Sequence, residues 1–343
     1  MKQNWIHKPQ TDGFFILLPP FLVLFIVVFF QDFLQKLEQD YSFYTWLFLI
    51  VFIDVAHVYA TLFKTYFVPE VFNENKKRFI GIPVFCFFFG VFLFSFGSAV
   101  FWSVLAYIAV FHFIRQQYGF MRLYSRFENK TRISTTFDNL FIYTATVYPM
   151  LFWFLSPNRN FNWFVENEFF TFKNPQMLHF LNYLYASILV LYAVRTVYLG
   201  FKNRFFNIPK NTLIIGTGLS WYFGIVYYNN DLVFTLLNVV AHGLPYLALV
   251  FLSQIAAKPP KNNSFLDFFS HKKGILFYLL LLISIAFFEE YLWEILVWND
   301  HFTAFYLPNS WQLLWVPLLT VPQFTHYLLD GFIWKKNKDK VGR

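Results

Sequence analysis

His57, His112, His242 and His326 each lie inside a long apolar run, and each has a polar residue within one helical turn. Asp54 precedes His57, Gln116 follows His112, Asn238 precedes His242 and Asp330 follows His326. Side chains three or four residues apart project from one helix face. Imidazoles and carboxylates are costly in hydrocarbon, so they mark ion, proton or substrate sites. The chemistry that suits such pairs is metal binding. One ring nitrogen takes the ion while the other N–H is held by a carboxylate, amide or carbonyl, which fixes the tautomer and strengthens the ligand. The four histidines are therefore candidate metal ligands, and Asp54, Gln116, Asn238 and Asp330 their candidate supporting partners, with Gln117 an alternative beside His112. The two aspartates are equally candidates for direct ligation or catalysis.

Positioning these residues is the task of the rest of the chain. Of its 343 residues, 57% are hydrophobic and only 13% charged, about half the charged fraction of a soluble domain. An all-α, polytopic transmembrane bundle is expected, forming a single membrane domain over residues 1–343. A span needs about 20 mostly apolar residues, which places about ten, near 13–33, 44–66, 79–97, 98–121, 137–156, 178–201, 211–229, 232–256, 273–293 and 311–334. The run from Phe79 to Phe120 is too long for one span, and Ser95-Phe-Gly-Ser98 offers the turn that divides it. Pro19-Pro20 predicts a kink in the first helix.

The net charge of +8 would suggest nucleic acid in a soluble protein, but here the basic residues lie between apolar runs. With both termini cytoplasmic, every Lys and Arg except Lys36, Arg159 and Lys173 falls on the inner side, the asymmetry expected of a multi-pass protein of a bacterial inner membrane. The loop over 157–177 is then the longest outer segment and reads as a short interfacial amphipathic stretch. The 52 phenylalanines are expected to be chiefly lipid-facing filler, and the single Cys86 packing material.

The same topology sorts the histidines. His7, His179, His271 and His301 fall near aqueous surfaces, whereas the other four belong to the second, fourth, eighth and tenth spans, at depths that allow them to meet. Thr61, Thr65 and Tyr66 continue the Asp54/His57 face. Arg115, Arg122 and Arg126 make the inner mouth basic, so Arg115 and Tyr66 are candidate substrate contacts. Gly243 and Pro245 are expected to open the eighth helix beside His242. Glu289 and Glu290 read as solvated groups near the outer interface. No P-loop, dinucleotide fingerprint, nucleophile elbow or cysteine cluster is present, which leaves little support for an ATPase or hydrolase.

Imidazole and carboxylate without thiolate suit non-haem iron, one or two ions, with dioxygen activation as the chemistry. An oxygenase, desaturase or hydroxylase acting on a lipid or other lipophilic molecule, with O2 and an electron donor as partners, is the expected function. The alternatives are a haem-binding electron carrier, a proton- or ion-coupled transporter, and a metal-free transferase using Asn238 and His242. Isolated histidines in several helices of a chain this long resemble the bacterial β-carotene-cleaving dioxygenases of the bacteriorhodopsin-related-protein family, and more distantly membrane fatty-acid desaturases and hydroxylases. The first resemblance implies iron held by four histidines and a carotenoid-like substrate. That family is expected to place two histidines four apart on one helix; here Asp330 occupies the position four after His326. The desaturase H-x-x-x-H and H-x-x-H-H boxes are absent.

Overall fold

A computed structural model describes residues 3–39, 45, 47–128, 131–256, 265–271, 273–298 and 308–334. Every regular element among them is helical. The helices are α1 (Pro9–Leu17), α2 (Pro19–Phe29), α3 (Gln31–Gln39), α4 (Leu47–Lys64), α5 (Pro69–Phe94), α6 (Ser98–Tyr124) and α7 (Arg132–Leu155). After these come α8 (Pro175–Asn203), α9 (Ile208–Trp221, continued by a π-turn over Tyr222–Tyr227), α10 (Asp231–Ala256), α11 (Gly274–Trp298), α12 (Gln312–Leu319) and α13 (Val321–Ile333). Six helices, α4, α5, α6, α8, α10 and α11, are long and apolar enough to cross a membrane, or seven spans if the bent pair α1–α2 counts as one. The other expected spans coincide with α7, α9 and the broken pair α12–α13, which are more polar or interrupted.

Local chemistry explains the breaks. The expected turn lies between α5 and α6, where Gly97 adopts φ +116°, a conformation that costs an L side chain heavily. At Pro19-Pro20 the chain bends by 48° between α1 and α2, because a proline removes a helical donor and crowds the preceding turn. Between α12 and α13, Thr320 turns its hydroxyl onto the Val316 and Pro317 carbonyls at 3.1 and 3.0 Å. Pro322 stands at the start of α13, where a missing N–H is harmless.

The helices pack into two compact units. Unit 1 comprises residues 1–42 and 113–245, unit 2 residues 43–112 and 246–343. Two of the three boundaries fall inside helices, in α6 between His112 and Phe113 and in α10 between Pro245 and Tyr246.

Unit 2 is built on a cluster in which the Phe63 ring meets Phe269 at 5.0 Å and Tyr278 at 4.8 Å, with Ala56, Ala60, Leu282 and Ala286 buried around it. The alanines on α4 and α11 leave room for close helix approach. Gly90 does the same for α5, since a Cβ there would lie 3.0 Å from Pro317.

Unit 1 carries a buried ionic network. The Lys210 ammonium meets Glu128 at 2.8 Å and Asp138 at 3.4 Å, and Arg195 meets Asp138 at 3.5 Å, so these charges are taken from water only with partners. The segment between α7 and α8 contains no helix. It is organised instead by Glu168, whose carboxylate accepts N–H groups from Trp163, Phe164 and Val165. Burial pushes the Glu168 carboxyl above its ordinary range while those three N–H groups pull it down. Phenylalanine covers exposed helix faces as expected, with Phe85, Phe88 and Phe92 of α5 all more than half exposed.

Candidate metal centre

α4 changes winding as it approaches the site, from a π-turn over Leu47–Val55 to α-helix over Ala56–Ala60 to a 3-10 turn over Thr61–Lys64. Such local rewinding is common where side chains must be re-aimed at a functional centre. His57 sits in the short α-helical piece and is buried. Within unit 2 it meets His326 of α13 with ring centroids 5.0 Å apart, and His326 meets His112 of α6 at 4.6 Å.

The nitrogens are oriented as ligands would be. Nε2 of His112 and Nε2 of His326 face each other at 3.2 Å. Two nitrogens sharing one ion at about 2.0–2.1 Å would stand about 2.8–3.4 Å apart at angles between square and tetrahedral. The Nδ1 atoms of three rings lie near side-chain oxygens, at hydrogen-bond distance for His326. His57 Nδ1 lies 3.7 Å from Asp54, His112 Nδ1 lies 3.9 Å from Asp330, and His326 Nδ1 lies 2.7 Å from the Thr61 hydroxyl.

Proton bookkeeping gives the Thr61 contact a direction. Thr61 Oγ1 also meets the Tyr246 hydroxyl at 3.0 Å, and Tyr246 meets Asp330 Oδ1 at 2.7 Å. Tyr246 donates to the carboxylate, so its oxygen accepts from Thr61, and Thr61 in turn accepts from His326 Nδ1–H. The chain His326 to Thr61 to Tyr246 to Asp330 thus leaves the His326 Nε2 lone pair facing His112. Trp334 Nε1 adds a second donor to Asp330 at 3.0 Å. One carboxylate therefore bears on two rings, His112 directly and His326 through two hydroxyls. Asp330 faces His112 across helices and not His326, its neighbour on α13.

His242 belongs to unit 1 and is held by its own helix. It precedes Tyr246 by one turn of the uninterrupted α10, and its ring stacks on Phe113 at 3.5 Å with 7° between planes. Pro245 has no N–H for the Ala241 carbonyl one turn back, and Gln117 supplies the missing donor at 3.3 Å, itself held by the Thr217 hydroxyl at 2.9 Å. Gln116 donates to the His242 carbonyl at 2.8 Å. Gln116 thus braces the backbone of His242 and not the ring of His112. Asn238 donates to the Phe234 carbonyl on its own helix at 2.9 Å and not to His242. Within unit 2 the ring nitrogens that His57, His112 and His326 could offer an ion lie within 4.8 Å of one another, and all three residues are buried; His242 is buried in unit 1.

The remaining candidates lie as follows. Arg115 donates to Tyr143 at 2.5 Å and stacks over Tyr118 at 4.4 Å, so its charge is engaged in unit 1. The Tyr66 hydroxyl donates to the Phe79 carbonyl at 2.6 Å, and Tyr66 lines a cleft that reaches His326. Glu289 overturns the expectation of solvation: it is 8% exposed and accepts from the Tyr59 hydroxyl at 2.6 Å, a partner that makes its burial tolerable. His7, His179 and His271 are exposed, as expected, and His301 lies outside the described residues. The sequence reading placed Thr61 on the His57 face without a role and passed over Tyr246; the signal was four-residue spacing, Thr61 after His57 and Tyr246 after His242. No protein family, curated protein or solved structure matches this chain.

Proposed function

We propose that this chain is an integral membrane metalloprotein in which His57, His112, His242 and His326 hold one transition-metal ion, and that it oxidises a lipophilic substrate with dioxygen. The observation that carries the reading is the convergence of three buried imidazoles of unit 2, His57, His112 and His326, within 4.8 Å, each with a side-chain oxygen within 4 Å of its Nδ1; His242 joins the set on its place in an apolar run of the sequence. An all-imidazole set suits iron, copper or zinc. Iron is the choice that gives a buried apolar site a use, since non-haem iron with open positions activates O2. The protein's own share is to orient the rings, exclude water through burial, and present a hydrocarbon to the site. An electron donor and the inner membrane of a bacterium, with both termini cytoplasmic, belong to the same proposal.

The compactness of the cluster favours a single ion over haem with paired axial histidines, because a porphyrin must fit between the two nitrogens of each pair. An absorption spectrum of the purified protein separates the two: a Soret band reports haem. Elemental analysis tests the proposal itself. About one ion per chain is expected, falling sharply in His57→Ala, His112→Ala, His242→Ala and His326→Ala and unchanged in His179→Ala. Equal metal content in all five variants would end it.

A further inference from the structure

Unit 2 contains a cleft of about 180 Å³ that ends on the metal centre. Its walls come from three helices: Val58 and Leu62 of α4, Pro83 of α5, and Val321, Pro322 and Leu329 of α13. Thr61, Thr325 and His326 lie at its polar end. Two backbone irregularities shape it. Pro83 withholds an N–H from the Phe79 carbonyl one turn earlier, and Tyr66 fills that vacancy with its hydroxyl, which fixes the tyrosine ring at the rim. Pro322 opens α13 on the opposite wall.

The outside of α5, the helix that contributes Pro83, is apolar. Ile80, Val84, Phe85 and Phe88 are each about half exposed or more, a surface that only acyl chains would cover in a membrane-spanning helix. The cleft is smaller than the roughly 300–1,000 Å³ of pockets that engulf a whole compact ligand. It suits a stretch of chain in single file, with the remainder of the molecule left in the bilayer.

We propose that this cleft admits one hydrocarbon chain of a bilayer lipid sideways between α5 and α13 to His326, so that the substrate class is a linear chain presented laterally. The inference rests on the metal-site reading above for its purpose, but not for its geometry. Thr61 is then a wall of the cleft and a link in the chain that orients His326. Chain occupancy and ring orientation meet at one residue.

The test uses the full-length protein in phosphatidylcholine vesicles that contain a trace of phosphatidylcholine with a diazirine on one acyl chain. Irradiation and peptide mapping should place adducts on Thr325 or Leu329 as well as on the lipid-facing Phe88. Leu62→Trp, which fills the cleft, should remove the Thr325 and Leu329 adducts while Phe88 labelling and metal content stay at the wild-type level. Should Leu62→Trp fail to fold, Val321→Phe serves, with Leu62→Met as the volume-conserving control. Wild-type protein labelled at Phe88 but not in the cleft, or cleft labelling that survives both filled variants, would overturn the proposal. Cleft labelling in a protein that binds no metal would instead end the metal reading and leave the chain site standing.

Discussion

Asp330 is the residue on which the arrangement turns, because its carboxylate faces His112 at 3.9 Å and closes the hydroxyl chain that begins at His326. Replacing a supporting carboxylate of this kind typically lowers metal affinity about 10–100-fold, and Asp330→Asn should do so in competition with a chelator. Thr61 permits a sharper test. Thr61→Val removes the hydroxyl and keeps the shape, so it should weaken metal binding in the same direction, whereas Thr61→Ser should stay near wild type. Equal affinity in the Val and Ser variants would refute the proton ordering proposed for the chain. The sequence showed that His326 and Asp330 share a helix face, but not which neighbouring helix that face meets. A four-residue interval fixes the angle between two side chains and says nothing of what stands opposite. Hence the histidines that gather were legible, while the partnership of Asp330 with His112 and the bridge through Thr61 were not.

At the scale of elements, prolines set helix shape and polar side chains repair what they leave open. Pro245 orphans the Ala241 carbonyl and Gln117 answers it; Pro83 orphans the Phe79 carbonyl and Tyr66 answers it. A buried acceptor without a donor costs about 1–3 kcal/mol. Gln117→Ala should therefore lower the thermal unfolding midpoint in detergent, and Pro245→Ala, which restores the backbone N–H, should reduce that loss in the double variant. Additive losses would show that Gln117 stabilises α10 in some other way. The expected opening at Gly243 and Pro245 is not present, since α10 runs through both residues. The repair of the Ala241 carbonyl depends on Gln117 of α6, more than a hundred residues away in sequence, and no local pattern carries that information. The π-turn before His57 is similarly silent, since Leu47–Val55 reads as an ordinary apolar run.

For the whole molecule, composition alone identified a helical membrane protein, and the turn at Gly97 and the bend at Pro19 lie where the sequence placed them. The count of spans was harder to read. α7 and α9 contribute Asp138, Lys210 and Asn211 to buried polar contacts, which lowers their apolar character below that of a simple crossing helix. Cytoplasmic termini can be tested because the one cysteine, Cys86, is buried. Lys36→Cys should react with an impermeant maleimide added outside intact cells, and Lys202→Cys only after the membrane is opened; the reverse pattern would invert the topology. The unit boundaries carry a consequence for dissecting the chain. They cut α6 directly after His112 and α10 three residues after His242, both inside a helix. Each unit is assembled from two separated stretches of chain, so neither can be produced as one continuous segment without carrying part of the other.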